Sequence, residues 1–118
     1  MARLASSIFV SSLVRQINGA GGSAVVARKG SPEAGAIYVS RWVSDERSYA
    51  LYTPTLIIDE DALPIGGRAF RLLENRFFEA ELADYMAREA SFDPDFWLVE
   101  IEHLNSSLDC LITILLDE

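Results

Sequence analysis

Seven carboxylates fall into two groups whose spacing could do chemistry. Asp59, Glu60 and Asp61 form one run, and Asp93, Asp95, Glu100 and Glu102 form the other. Residues two apart on a β-strand project from the same face, so Glu100 and Glu102 could share a divalent cation or divide an acid and a base role. Magnesium and calcium draw oxygen ligands from more than one element, and the 59–61 run is the natural second donor. The metal-ligand candidates are therefore Asp59, Asp61, Glu100 and Glu102. A solvated strand face is the favoured explanation of Glu100 and Glu102. Asp93 and Asp95, around Pro94, suit a turn in which carboxylates accept from backbone N–H groups. No catalytic residue and no cofactor is assigned from this pattern.

The remaining reactive side chains are few. His103 is the only histidine, and Ser106 and Ser107 follow it closely, but no Gly-x-Ser-x-Gly turn surrounds either serine. The glycines from Gly19 to Gly22 follow a helix and lack the Gly-Lys-Ser/Thr ending of a phosphate loop. Gly30 and Gly35 bracket a hairpin, and Gly66-Gly67 precede a strand, each explained by turn geometry. Cys110 is the only cysteine, which excludes an intramolecular disulfide, and it reads as a small buried apolar residue. Arg28, Lys29, Arg41 and Arg47 interleave with Tyr38, Trp42, Tyr49 and Tyr52. That mixture suits a single-strand-binding face, but an ordinary half-buried sheet is the favoured reading given the net charge.

Charge weighs against nucleic acid. The net charge is −8, and it is unevenly spread. Residues 1–57 carry six basic and three acidic side chains, whereas residues 58–118 carry four basic and fifteen acidic ones. An acidic chain repels phosphate backbones, although the N-terminal half can still present a local basic patch. Half of the 118 residues are hydrophobic, enough for one self-sufficient domain over 1–118. The start reads as a helix rather than a leader. The longest apolar stretch, Leu108 to Leu116, falls well short of the ~20 residues of a membrane span. The expectation is a cytoplasmic protein with no membrane contact.

The elements that must position these residues follow from periodicity. Val10, Leu13, Val14 and Ile17 recur at helical spacing, extended by Leu4 and Ile8, and predict a helix over 4–18. Strands are expected over 23–29, 36–43 and 48–53 as an antiparallel meander, with a fourth over 68–74. A second helix runs from an Asn75 N-cap to about Ala90, with Phe78, Leu82, Tyr85 and Met86 on its apolar side. A strand over 96–102 and a closing strand from Asp109 to Leu116 form a late hairpin. Both faces of the closing strand are apolar. It is therefore either buried in the monomer or covered by a second copy, which makes Cys110, Ile112, Ile114 and Leu116 interface candidates.

Three stretches resemble a known family. They are Gly21-Gly22-Ser23-Ala24-Val25-Val26-Ala27-Arg28-Lys29-Gly30 behind the first helix, Glu33-Ala34-Gly35-Ala36, and Arg88-Glu89-Ala90-Ser91-Phe92-Asp93-Pro94-Asp95-Phe96-Trp97-Leu98-Val99-Glu100-Ile101-Glu102. Spread over most of residues 4–102, they are similar to an uncharacterised alphaproteobacterial family, domain of unknown function 1491. The C-terminal apolar strand departs from that pattern, since the family ends soon after the acidic strand. The resemblance implies no activity, cofactor or site residue.

The expected fold is α+β in two layers. An antiparallel sheet of about 4–6 strands carries both helices on one face, in the order helix, four strands, helix, two strands. The expected function is a small cytoplasmic non-catalytic interaction module that forms a homodimer, with an unidentified protein partner besides. A metal-dependent hydrolase or nuclease using the acidic set comes second, and an RNA-binding or toxin-like module third.

Overall fold

A computed structural model describes residues 3–57 and 63–115. The element order is α1 (Ser6–Gly19), β1 (Ser23–Arg28), β2 (Ala36–Val43), β3 (Ser48–Thr55), β4 (Ala69–Phe77), α2 (Glu79–Phe92), β5 (Phe96–Glu102) and β6 (Thr113–Leu115). Two 3-10 turns, Ile65–Gly67 and Leu108–Cys110, precede β4 and β6. The α+β class and the helix–strand order agree with the sequence reading.

The sheet departs from that reading in two ways. Its six strands run β1-β5-β2-β3-β4-β6, and β5 lies parallel to β2 while β6 lies parallel to β4. The sheet is mixed, not antiparallel. No late hairpin forms, because β5 and β6 are separated by three strands. The β1–β2 pairing of the expected meander is also absent, since β5 inserts between them. The reason is visible in β5 itself: Phe96, Trp97, Leu98 and Val99 are all buried, and a run that is apolar on both faces belongs in the middle of a sheet.

A strand apolar on both faces also needs cover on both, and the helices supply it. Trp97, Val99 and Ile101 join Ile37 and Val39 of β2 against Phe9, Val10, Leu13 and Ile17 of α1. The alternate residues Phe96 and Leu98, with Leu51 of β3, pack against Leu82 and Met86 of α2. The helices therefore lie on opposite faces, and the two-layer arrangement gives way to three layers with the sheet between. Glu100 and Glu102 had made the even-numbered face of β5 look solvated, but Phe96 and Leu98 on that face are covered by α2.

Local chemistry explains the boundaries. α1 buries Ser6, Phe9, Val10, Leu13 and Ile17, while Ile8 stays 57% exposed, so the buried stripe is turned toward Phe9 from its expected position. The helix stops where the Ala20 N–H meets the Gln16 carbonyl and Gly21 takes φ +88°, a region glycine enters at no steric cost. Asn18 then ties helix to strand, its side-chain oxygen accepting from the Ala24 N–H at 3.0 Å. At α2 the expected Asn75 N-cap is not used, because Asn75 lies within β4. Phe77 still pairs with Tyr49 across the sheet, and the helix begins two residues later, with the Glu81 carboxylate accepting from the Phe78 N–H at 2.9 Å.

Candidate functional site

The stretch joining α2 to β5 is the structural clasp of the molecule. Asp93 accepts from the Asp95 N–H at 3.0 Å, the turn expected around Pro94. Asp95 reaches further. Its carboxylate accepts the Ser31 N–H at 2.7 Å and the Ser31 hydroxyl at 2.8 Å, while the Trp97 indole N–H donates to the Ser31 carbonyl at 2.9 Å. Arg28 donates to the Pro94 carbonyl at 2.7 Å and lays its guanidinium 4.3 Å from the Phe96 ring centroid. These contacts hold the 29–35 loop across the end of β5, which lets β1 and β2 stand two strand spacings apart. Gly30 and Gly35 serve the same clasp. A Cβ at either would come within about 3 Å of the Trp97 ring, so close approach rather than turn geometry requires glycine there.

The two hydrogen bonds from Ser31 hold the Asp95 carboxyl below its ordinary range. A depressed carboxyl contributes stability that is present above its unfolded pKa and lost as pH falls through the folded one. Asp95→Asn is accordingly expected to flatten the acid limb of a melting-temperature–pH profile below about pH 4. Parallel acid limbs in wild type and variant would refute the clasp's electrostatic role.

The carboxylate candidates are only partly brought together. Glu100 is half-buried and Glu102 exposed, both on the α2 side of β5. Their charges, with that of Glu79, add to burial in raising the Tyr49 phenol. Asp59 and Asp61 lie outside the described residues, and among those described no three His, Cys, Asp or Glu side chains gather as a metal would need. His103 takes φ +59° at the strand end, with its Nε2 3.8 Å from the Glu102 carboxylate. Ser107 turns its hydroxyl to Asp109, and among the described residues it makes no hydrogen bond with His103.

Other candidates are distributed differently from the sequence reading. Cys110 is exposed, not a buried apolar residue, because the Leu108–Cys110 turn directs Leu108 inward instead. Ile112 is 0% exposed in the chain's own core, Ile114 is half-buried against it, and Leu116 lies outside the described residues. The basic and aromatic residues do not share one face. Arg41 donates to the carbonyls of Leu104 and Ser106, and Arg28 is held in the clasp. Tyr38 packs on the α2 side, whereas Tyr52 packs on the α1 side.

The feature that sequence reasoning missed lies at the β1 edge. Among the described residues, β1 has a partner strand on one side only. Its two valines are unusually open for β-branched residues: Val25 is 54% and Val26 43% exposed. On the Val26 side a groove of about 540 Å³ runs between β1 and α1, lined by Ser7, Val10, Ser11, Val14, Arg15, Val26, Lys29 and Trp97. The α1 contribution is a stripe at i, i+3, i+4, i+7 and i+8, with nothing longer than valine before Arg15. The signal was present in the sequence as the small residues Ser7 and Ser11 at helical spacing from Val10 and Val14. At Ala27 the register with β5 slips, so this exposed residue has no partner and the flat part of the edge is Ser23–Val26.

Fold and edge together define a small protein with a mixed sheet between two helices and an open strand beside a groove. The chain belongs to the family described as "Protein of unknown function (DUF1491)", whose sequence model matches residues 4–108. It is similar over 99% of its length to a protein from A. tumefaciens solved in solution, at 36% identity, TM-score 0.80 and 98% coverage of that chain. A crystal structure of a DUF1491 family protein from Caulobacter crescentus matches at 30% identity and TM-score 0.75, covering 95% of this chain and 99% of that one. A DUF1491 family protein from the same organism, solved by NMR, matches at 30% identity and TM-score 0.74, with both chains covered in full. No curated protein matches the chain. The family model stops at residue 108, before β6, whereas these relatives align over 95–100% of the chain. Among the described residues no helix is long and apolar enough to cross a membrane.

Proposed function

We propose that this protein is a non-catalytic interaction module that receives an extended segment of a partner protein along β1. The observation that carries the reading is the open β1 edge, with Val25 exposed on one face and Val26 exposed in an apolar-floored groove on the other. An unpaired strand offers backbone donors and acceptors to an added strand, and an adjacent groove receives every second side chain of that strand. The polar residues elsewhere support a scaffold role, since Asp95, Arg28 and Arg41 are occupied in holding loops. A second copy joined through the C-terminal strand is less favoured because Ile112 already belongs to the monomer core. A cytoplasmic setting goes with this reading, because exposed Cys110 is a free thiol that a reducing compartment keeps reduced.

The test is selection of a displayed random-peptide library on the immobilised protein. Binders should be lost on Ala27→Pro or Val26→Asp, both substitutions at exposed positions of the edge, and kept on Glu102→Gln at the other face. Binders indifferent to both β1 variants, or no binders at all, would sink the reading.

A further inference from the structure

Resting on strand addition at β1, we infer that the segment received is acidic, with a carboxylate at i, an apolar side chain at i+2 and a second carboxylate at i+4. The groove lining contains two cations, Arg15 and Lys29, and no anion, in a chain whose net charge is −8. Both side chains are exposed, and among the described residues neither has a hydrogen-bond or ion-pair partner.

Their placement sets the spacing. The link from Asn18 to Ala24 puts the start of β1 beside the end of α1. At the other end, the Ser7 N–H donates to the Pro32 carbonyl at 2.8 Å, which puts the residues after β1 beside the start of α1. Arg15 and Lys29 therefore stand at opposite ends of the groove. Along the helix, Ser7 and Arg15 are separated by about 12 Å at 1.5 Å per residue. An added strand advances about 13 Å from i to i+4, and its residues i, i+2 and i+4 share one face. The middle residue then falls over Val10, Val14, Val26 and the edge of Trp97, where only an apolar side chain avoids losing its solvation. A second copy of β1 would bring Ser23 through Arg28 to this face, a strand without a carboxylate. Charge complementarity therefore favours a different, acidic chain.

The experiment uses the displayed random-peptide library on wild type and on the Arg15→Glu/Lys29→Glu variant, with light scattering of each protein alone. Wild type should enrich Asp or Glu at i and i+4 around an apolar i+2. A synthetic copy of the most enriched peptide should bind the charge-reversed variant at least about tenfold more weakly, and should weaken with salt. If enriched peptides depend on β1, being lost on Ala27→Pro and Val26→Asp, yet lack acidic residues or ignore the charge reversal, the inference is wrong and strand addition stands. Peptides indifferent to the β1 variants, or none, overturn both. A dimer that Ala27→Pro dissociates would show that the occupant is a second copy, which also overturns the inference.

Discussion

Arg68→Ala is expected to lower unfolding free energy by about 3 kcal/mol, a melting-point drop on the order of 10 °C for a chain of this size. Arg68 is 4% exposed, and its guanidinium serves three separate elements. It donates to the Leu4 carbonyl from Nε at 3.2 Å and Nη2 at 3.0 Å, to the Ser6 hydroxyl oxygen at 2.8 Å and to the Glu33 carbonyl at 3.4 Å. The Ser6 hydroxyl in turn donates to the Gly35 carbonyl at 2.6 Å. Alanine would strand these acceptors in a site that water reaches poorly and would leave a cavity beside Phe9. Burial, with a smaller push from Arg3, lowers the guanidinium's affinity for its proton, yet arginine stays charged at any ordinary pH. Arg68→Lys should fall between, because an ammonium cannot present a planar fork to acceptors on different elements. Urea denaturation of the three proteins checks this ordering. An alanine variant within about 0.5 kcal/mol of wild type would contradict it.

Ile112→Lys should be more damaging still, costing roughly 4 kcal/mol or preventing folding, because it buries an ammonium among Leu13, Ile17 and Leu108. Ile114→Lys, at a half-buried edge position, should cost about 1 kcal/mol, since its ammonium can reach solvent. Denaturation curves and light scattering on both variants separate two meanings of the C-terminal apolar strand. A core role predicts loss of the folded state at Ile112 with no stable species of lower mass. A folded Ile112→Lys protein with halved mass and wild-type stability would show that the residue belongs to an interface between copies.

How far the sequence disclosed this arrangement depends on which interactions were local. α1, α2 and the order of elements were legible, because helical spacing and turn residues act within a few positions. The Asp-Pro-Asp turn was legible for the same reason. Strand order was not. Periodicity says which face a residue takes but not which strand lies beside it, and β5 pairs with β1 and β2 across sixty residues or more. The clue to its central place was Phe96-Trp97-Leu98-Val99, apolar without alternation, which the neighbouring Glu100 and Glu102 obscured. Arg68 gave no sign of burial, since apart from the Ser6 hydroxyl its acceptors are carbonyls that any residue could supply. The groove escaped because it is built from both sides of the α1–β1 connection, and its small helix residues carry meaning only once β1 is known to be an edge.

We propose that β1 and its groove receive a partner segment, and the open edge carries that proposal. Amide hydrogen exchange with side-chain methyl NMR, recorded with and without a peptide enriched on this protein, tests it most directly. The claim predicts slowed exchange at outward-facing amides of Ser23–Val26, together with shifts of the Val10, Val14 and Val26 methyl signals. Unchanged β1 amides, with the perturbation confined to the α2 face or to residues 103–115, would contradict it.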